Sequence, residues 1–134
     1  MSIQTFLKTK KTRILTVREI LVMKKIISLC RNYEFQRLYR RGKSAVRPTL
    51  VMYAIDTKGD KIRLGITAGK KIGGAVCRNR AKRRIRELFR ITQDELKCGK
   101  DICIVARGRI LDVTYEKLVK DFRSAAEELE LFAN

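Results

Sequence analysis

Lys70–Arg90 reads KKIGGAVCRNRAKRRIRELFR, nine Lys or Arg residues against a single acid, Glu87, and its periodicity organises the rest of the chain. On a wheel at about 100° per residue, Cys77, Ala81, Ile85, Leu88 and Phe89 share an arc of roughly 120°, the width of a core-facing stripe. Arg78, Asn79, Arg80, Lys82, Arg83, Arg86 and Arg90 sweep round most of the remaining surface. Many of these cations stand at i,i+3 or i,i+4, where like charges cost a helix a few tenths of a kcal/mol per pair. A merely solvated helix mixes signs. This one, nine cations less one acid, holds eight of the chain's eighteen excess positive charges, so its outer faces read as a surface for polyanion. Arg84 falls inside the apolar arc; its stem is expected to cover core while its guanidinium snorkels to the surface.

The same bias runs through the whole molecule: 32 Lys and Arg against 14 Asp and Glu in 134 residues, a formal charge of +18. Such a field attracts nucleic acid or anionic membrane. Membrane is the weaker partner, because no stretch reaches the roughly 18 uninterrupted apolar residues of a spanning helix and the arginine helix lacks an aromatic-rich interfacial face. At 45% hydrophobic residues the chain can fill one core and not two. The division expected is residues 1–22 as a basic, flexible N-terminal extension and residues 23–134 as a single domain that binds soluble nucleic acid. Met23 offers an alternative start, with Ser2–Val22 as an upstream extension. Arg18, Glu19, Lys24 and Lys25 interrupt the apolar stretch Ile14–Cys30, which excludes a secretory signal and leaves an organelle transit peptide as the alternative to a cytoplasmic location. Cys30, Cys77, Cys98 and Cys103 are therefore read as reduced thiols. With no histidine and no CxxC pair, zinc is not expected, and Cys77 and Cys103 read as small buried hydrophobes.

Along the chain, Asn32 is expected to cap a helix over Tyr33–Arg41, with Phe35, Leu38 and Tyr39 on one face and Gly42 as its C′ glycine. Thr49–Asp56 (TLVMYAID) and Lys61–Ala68 (KIRLGITA) are β-rich runs around a Lys58-Gly59-Asp60 turn and read as an antiparallel hairpin. In the second run Ile62, Leu64 and Ile66 face one way and Arg63, Gly65 and Thr67 the other. Asp101–Ala106 (DICIVA) is a further strand. Thr114 caps a last helix with Leu118, Val119, Phe122, Ala125, Ala126 and Leu129 inward and Glu116, Asp121, Glu127, Glu128 and Glu130 outward. Helices packed on a small sheet make an α+β, two-layer α/β sandwich.

The run Lys71-Ile-Gly-Gly-Ala-Val-Cys-Arg78-Asn79-Arg80-Ala-Lys82-Arg83 resembles the RNR signature of the bacterial ribonuclease P protein component. The likeness extends to LCRNYEFQRLYRRGKS before it, to LVMYAID, and to DICIVARG followed by TYEKLVKDF, so it spans about Met23 to Leu131. Gly74 stands where the family commonly has Asn, Ala81 where it has a larger aliphatic, and Arg84 where an aliphatic also occurs. The resemblance implies the ribosomal protein S5 domain 2-like fold, its small sheet containing a left-handed βαβ crossover that carries the RNR helix, against the usual handedness. It further implies a ribonucleoprotein in which a catalytic RNA, with Mg²⁺, removes the 5′ leader of precursor tRNA while the protein assists.

On that reading Lys70, Lys71, Arg78, Asn79, Arg80, Lys82, Arg83 and Arg86 contact the catalytic RNA. Arginine forks match phosphate, Asn79 offers donor and acceptor to base or ribose edges, and the Lys70–Gly74 approach places phosphate at a helix N-terminus. In the family, aromatic residues on the first helix and sheet line a cleft for the leader. The matching positions are Phe35, Tyr39 and Tyr53, with Arg63 as the cation of the cleft floor, against the alternative of plain core packing. No catalytic residue and no metal ligand is assigned to the polypeptide, whose acids form no close cluster outside the last helix. Three rivals stand: a general or ribosomal RNA-binding protein, a DNA-binding module, and a stand-alone nuclease. The strand, arginine helix, strand order supplies no helix-turn-helix for the second.

Overall fold

The computed structural model describes residues 26–29 and 31–133. The extension over residues 1–22, the alternative start at Met23 and the thiol of Cys30 lie outside the described residues. The elements run β1 (Ile26–Ser28), α1 (Asn32–Arg41), β2 (Lys43–Val46), β3 (Leu50–Asp56), β4 (Ile62–Ala68), α2 (Ala75–Thr92), β5 (Lys100–Ala106) and α3 (Tyr115–Glu128). Short 3₁₀ turns at Lys70–Ile72, Gln93–Glu95 and Gly108–Leu111 lead into α2, follow it and precede α3. The fold is α+β, with one mixed five-stranded sheet in the order β1-β4-β5-β3-β2.

The antiparallel hairpin expected between residues 49–56 and 61–68 does not form, because β5 lies between its two arms. Cys103 of β5 is in antiparallel register with Tyr53 of β3 and in parallel register with Gly65 of β4. Asp101, Ile102, Cys103 and Ile104 are all buried, so β5 requires cover on both faces and suits a central position. The bend after β3 admits it. Thr57 N–H donates to the Gly99 carbonyl at 2.8 Å and Gly99 N–H donates to the Lys61 carbonyl at 3.1 Å. This wedge holds β3 and β4 two strand spacings apart, roughly 9–10 Å. The parallel neighbours β4 and β5 are joined through α2, which makes the arginine helix the crossover of a βαβ unit. β1 and β2, three and four residues long, have no counterpart in the sequence reading; each is too short to show a period.

Alternation along the strands separates the two faces of the sheet. Leu50, Met52, Ala54, Ile62, Ile102, Ile104 and Ala106 join the main core with Ala81, Ile85, Leu88 and Phe89 of α2 and Leu118, Phe122, Ala125 and Ala126 of α3. On the opposite face Leu38 of α1 packs on Cys103 with Leu29, and Phe35, Tyr53, Ile55 and Val105 border that smaller cluster. The expected inward and outward sides of β4 are those observed.

Three local expectations are corrected. Asn32 is the first residue of α1 and not its cap; the Arg31 N–H that precedes it donates to Glu34 Oε1 at 3.3 Å. Gly42 ends α1 in an extended conformation, φ −74°, and is needed for space, since a Cβ there would stand 2.6 Å from the Leu38 carbonyl oxygen. Asp121 faces inward: it is 4% exposed and accepts from Thr49 Oγ1 at 2.7 Å and Lys117 Nζ at 2.9 Å. Burial raises this carboxyl, and the Lys117 and Thr49 bonds outweigh it, so the net shift is downward. Thr114 caps α3 as expected, its Oγ1 accepting from Lys117 N–H at 3.2 Å.

Candidate nucleic-acid interface

The approach to α2 is built from backbone. Lys70 and Lys71 are exposed on the 3₁₀ turn, and Gly73 follows at φ +137°, a conformation that disfavours any side chain. A Cβ on Gly73 would also press on Cys77, 3.1 Å from its Cβ and 3.2 Å from its Sγ. Gly74 is the N-cap and provides no side-chain cap, so the first amides of α2 lack that partner. The macrodipole adds a partial positive charge at the same end.

Ala81, Ile85, Leu88 and Phe89 anchor one side of α2, each at most 2% exposed. Cys77 is only half-buried, and Ile91 and Thr92 extend the buried stripe to the helix end. The Arg84 guanidinium does not snorkel free of the fold: Nη1 donates to the Ile110 carbonyl at 2.5 Å and Nη2 to the Val113 carbonyl at 3.1 Å. It thereby ties α2 to the turn before α3. Arg90 pairs with Glu87 on its own helix. The other cations are different. Among the described residues, Lys70, Lys71, Arg78, Arg80, Lys82, Arg83 and Arg86 form no ion pair and no side-chain hydrogen bond. Asn79, Arg80, Arg83 and Arg86 are exposed, and Arg78 and Lys82 are half-buried.

The acids are engaged elsewhere. Arg47 pairs with Glu128 at 2.8 Å, Arg123 with Glu95 at 3.1 Å, and Lys117 with Asp121. Neutralised cations thus cluster around α3 and the sheet ends, while the seven unpaired cations on and before α2 keep their full charge.

The second set of expected site residues lies across the sheet. Tyr39 and Tyr53 meet edge to face with centroids 5.0 Å apart, and the Tyr39 hydroxyl and Cys103 Sγ share a hydrogen bond at 3.7 Å. Burial, then the Cys103 bond, pushes the Tyr39 phenol up to about 12. Burial likewise pushes the Cys103 thiol up to about 11, with the Tyr39 bond opposing. Phe35 lies close enough to β4 to demand glycine there, since a Cβ on Gly65 would come within 2.4 Å of the ring. Tyr39 remains 39% exposed, and Val51, Tyr53, Thr67 and Val105 are half-buried, so α1 leaves part of this face uncovered.

Arg63 is on this floor as expected, but it is not a free cation. Nε and Nη2 donate to Asp101 Oδ1 and Oδ2 at 2.8 and 2.7 Å, and Nη1 meets Glu34 Oε2 at 2.6 Å. The bond to Asp101 leads the causes that raise the Arg63 pKa. Arg37 Nη2 adds a bond to Asp101 Oδ2 at 2.5 Å.

A model of the ribonuclease P family matches residues 23–130. The chain belongs to the ribonuclease P protein family. It is 36% identical over 110 residues to the ribonuclease P protein component of Thermoanaerobacter sp. (strain X514), covering 82% of this chain and 95% of that one. With the component of Bacillus cereus (strain AH187) it shares 41% over 99 residues, 73% of this chain and 86% of the relative. Among solved structures it is similar to the RNase P protein of Staphylococcus aureus, with a TM-score of 0.72 and 34% identity over 79% of this chain and 97% of the other. The RNase P protein of Thermotoga maritima gives 0.66 and 27% over 72% and 92%.

Within this ribonuclease P protein the sequence reading missed Asp101, Glu34 and Arg37 as one cluster. The available signal was Asp101 itself, an acid opening an otherwise apolar strand on the same side as Cys103. A buried carboxylate requires a cation, and alternation in β4 turns Arg63 to that side.

Proposed function

We propose that this chain is the protein subunit of a ribonuclease P ribonucleoprotein, in which α2 holds the catalytic RNA and the face beneath α1 holds the 5′ leader of precursor tRNA. The observation that carries the reading is the charge of α2: seven cations on and just before one helix, unpaired among the described residues, behind a helix face fixed in the core. Arg78, Arg80, Lys82, Arg83 and Arg86 engage phosphates, Asn79 a base or ribose edge, and Lys70 and Lys71 the phosphate that approaches the helix start.

The leader lies along Phe35, Tyr39 and Tyr53, where unstacked bases find aromatic partners. Arg63 serves this surface as a clamp between β4, β5 and α1. The half-exposed Arg37 beside it is the nearer cation for leader phosphate.

The RNA performs the chemistry. Among the described residues no three His, Cys, Asp or Glu side chains group as metal ligands, and the buried Asp101 and Asp121 are already bound by cations. These residues do not fit a resident Mg²⁺, so in this reading Mg²⁺ is held by RNA phosphates. No helix among the described residues is long and apolar enough to cross a membrane, and a cytoplasmic complex is the reading that fits reduced cysteines.

The test is cleavage of a precursor tRNA at low Mg²⁺ with the chain alone, the catalytic RNA alone, and the two mixed. Only the mixture is expected to cut well. Cleavage by the chain alone supports a nuclease, and no gain on mixing supports a general RNA binder. In the mixture, Tyr39→Ala or Tyr53→Ala is expected to weaken precursor tRNA binding and leave mature tRNA binding unchanged; equal losses defeat the leader assignment.

A further inference from the structure

A groove of about 510 Å³ runs between α2 and the β1–β4 edge of the sheet, on the opposite face from the aromatic surface. Its walls are the apolar side chains of Leu64, Ile66 and Phe89, and Lys82 and Arg86 stand on its rim. Gln93 closes one end. Gln93 is only 6% exposed, yet its carboxamide forms no hydrogen bond with any described residue. It is not sealed in, because Tyr115 Oη is the one fully buried side-chain polar atom without a partner among the described residues. The Gln93 amide therefore keeps some solvent access, and Gln93 lines the groove. With no partner from the chain, its donor and acceptor are left for water or for a ligand that enters the groove.

We propose that this groove receives one unpaired purine base of the catalytic RNA, adenine by preference, with the Gln93 amide on its edge and the flanking phosphates on Lys82 and Arg86. This rests on the assignment of α2 to that RNA and specifies what one part of the helix recognises. The volume lies within the range of small-ligand pockets, and apolar walls suit the faces of a base. A carboxamide presents one acceptor and one donor, which match adenine N6–H and N7. Polarity along the helix agrees. Gln93 is the C-cap of α2, and the negative end of the macrodipole disfavours phosphate there but tolerates a neutral base. The phosphates fall about two and three turns earlier, where Arg86 and Lys82 are unpaired.

A rival occupant is residues 1–25 of the same chain, since β1 continues from them. That segment carries seven Lys or Arg residues against Glu19 alone, so the cationic rim repels it and attracts polyanion.

The experiment probes adenine N7 in a bacterial ribonuclease P RNA with diethyl pyrocarbonate, free and bound to the full chain. One adenine is expected to be protected by the unaltered protein and exposed again with Gln93→Leu. That variant should bind the RNA about tenfold more weakly with an unchanged salt slope, because a neutral contact is lost. Interference mapping with 7-deazaadenosine gives the same answer without altering the protein: substitution at the protected position should weaken binding about tenfold. No protected adenine, or interference at none, overturns the pocket while the salt dependence of binding keeps the α2 reading standing. A Gln93→Leu variant that changes thermal stability but not the footprint also overturns it, in favour of residues 1–25. Failure of the unaltered chain to bind the RNA overturns both readings.

Discussion

Arg63 grips Asp101 through two bonds, Nε to Oδ1 at 2.8 Å and Nη2 to Oδ2 at 2.7 Å, across the parallel register that places the two residues side by side on β4 and β5. Asp101 is 1% exposed, and Arg37 of α1 shares its Oδ2. One carboxylate thus locks a central strand, its neighbour and the helix that walls the aromatic surface.

Asp101→Asn takes its counter-charge from Arg37 and leaves Arg63 only Glu34. Because both guanidinium groups stay partly in solvent, the loss is about 2 kcal/mol, less than for a fully buried pair. Urea unfolding is expected to show that loss, and a change below about 1 kcal/mol contradicts the clamp.

Asp121 predicts a dependence on acid. Its folded pKa lies below the ordinary 3.8, so its contribution is fully present above that value and is lost as pH falls through the lower folded pKa. The stability difference between the native chain and Asp121→Asn should be constant near neutrality and shrink once the pH drops below 3.8. A difference that persists unchanged in strong acid denies the ion pair with Lys117.

The thiols should react in the order of their burial. Cys98 is exposed, Cys77 half-buried and Cys103 buried with its pKa pushed up to about 11, so iodoacetamide at mildly alkaline pH should label Cys98 first and Cys103 only on unfolding. Because the folded state keeps these protons, the Cys103 contribution is lost as pH rises above the ordinary thiol value of 9.0 and the Tyr39 contribution above the ordinary phenol value of 10.0. Peptide mass spectrometry reads the labelling; early modification of Cys103 contradicts the packing under α1.

What was legible in the sequence was local. The stripe Ala81, Ile85, Leu88 and Phe89 follows from a period of 3.6, and the alternation in β4 from a period of two, so α2 and the two faces of that strand were readable. The partner of each strand was not. Residues 49–56 and 61–68 are neighbours in sequence with a turn between them, and only the double-sided burial of the distant β5 decides that it separates them. The charge state of individual cations was equally hidden. Arg63 and Arg86 look alike in a sequence, but Arg63 meets acids brought from α1 and β5, whereas Arg86 meets none among the described residues. Asp121 failed for a related reason: its inward turn depends on Thr49, 72 positions away.

The central claim is that the unpaired cations of α2, and not the charge of the chain at large, hold the catalytic RNA. It is tested by the salt dependence of binding to that RNA for the native chain, for the combined Arg78→Gln, Arg83→Gln and Arg86→Gln variant, and for Arg47→Gln with Arg123→Gln. With about six phosphates engaged, the native log-log slope should be roughly −4 to −5, and the α2 variant should lose about two to three units of it. The substitutions at the paired arginines should leave it unchanged. A native slope near zero, or an equal loss from Arg47 and Arg123, contradicts the account.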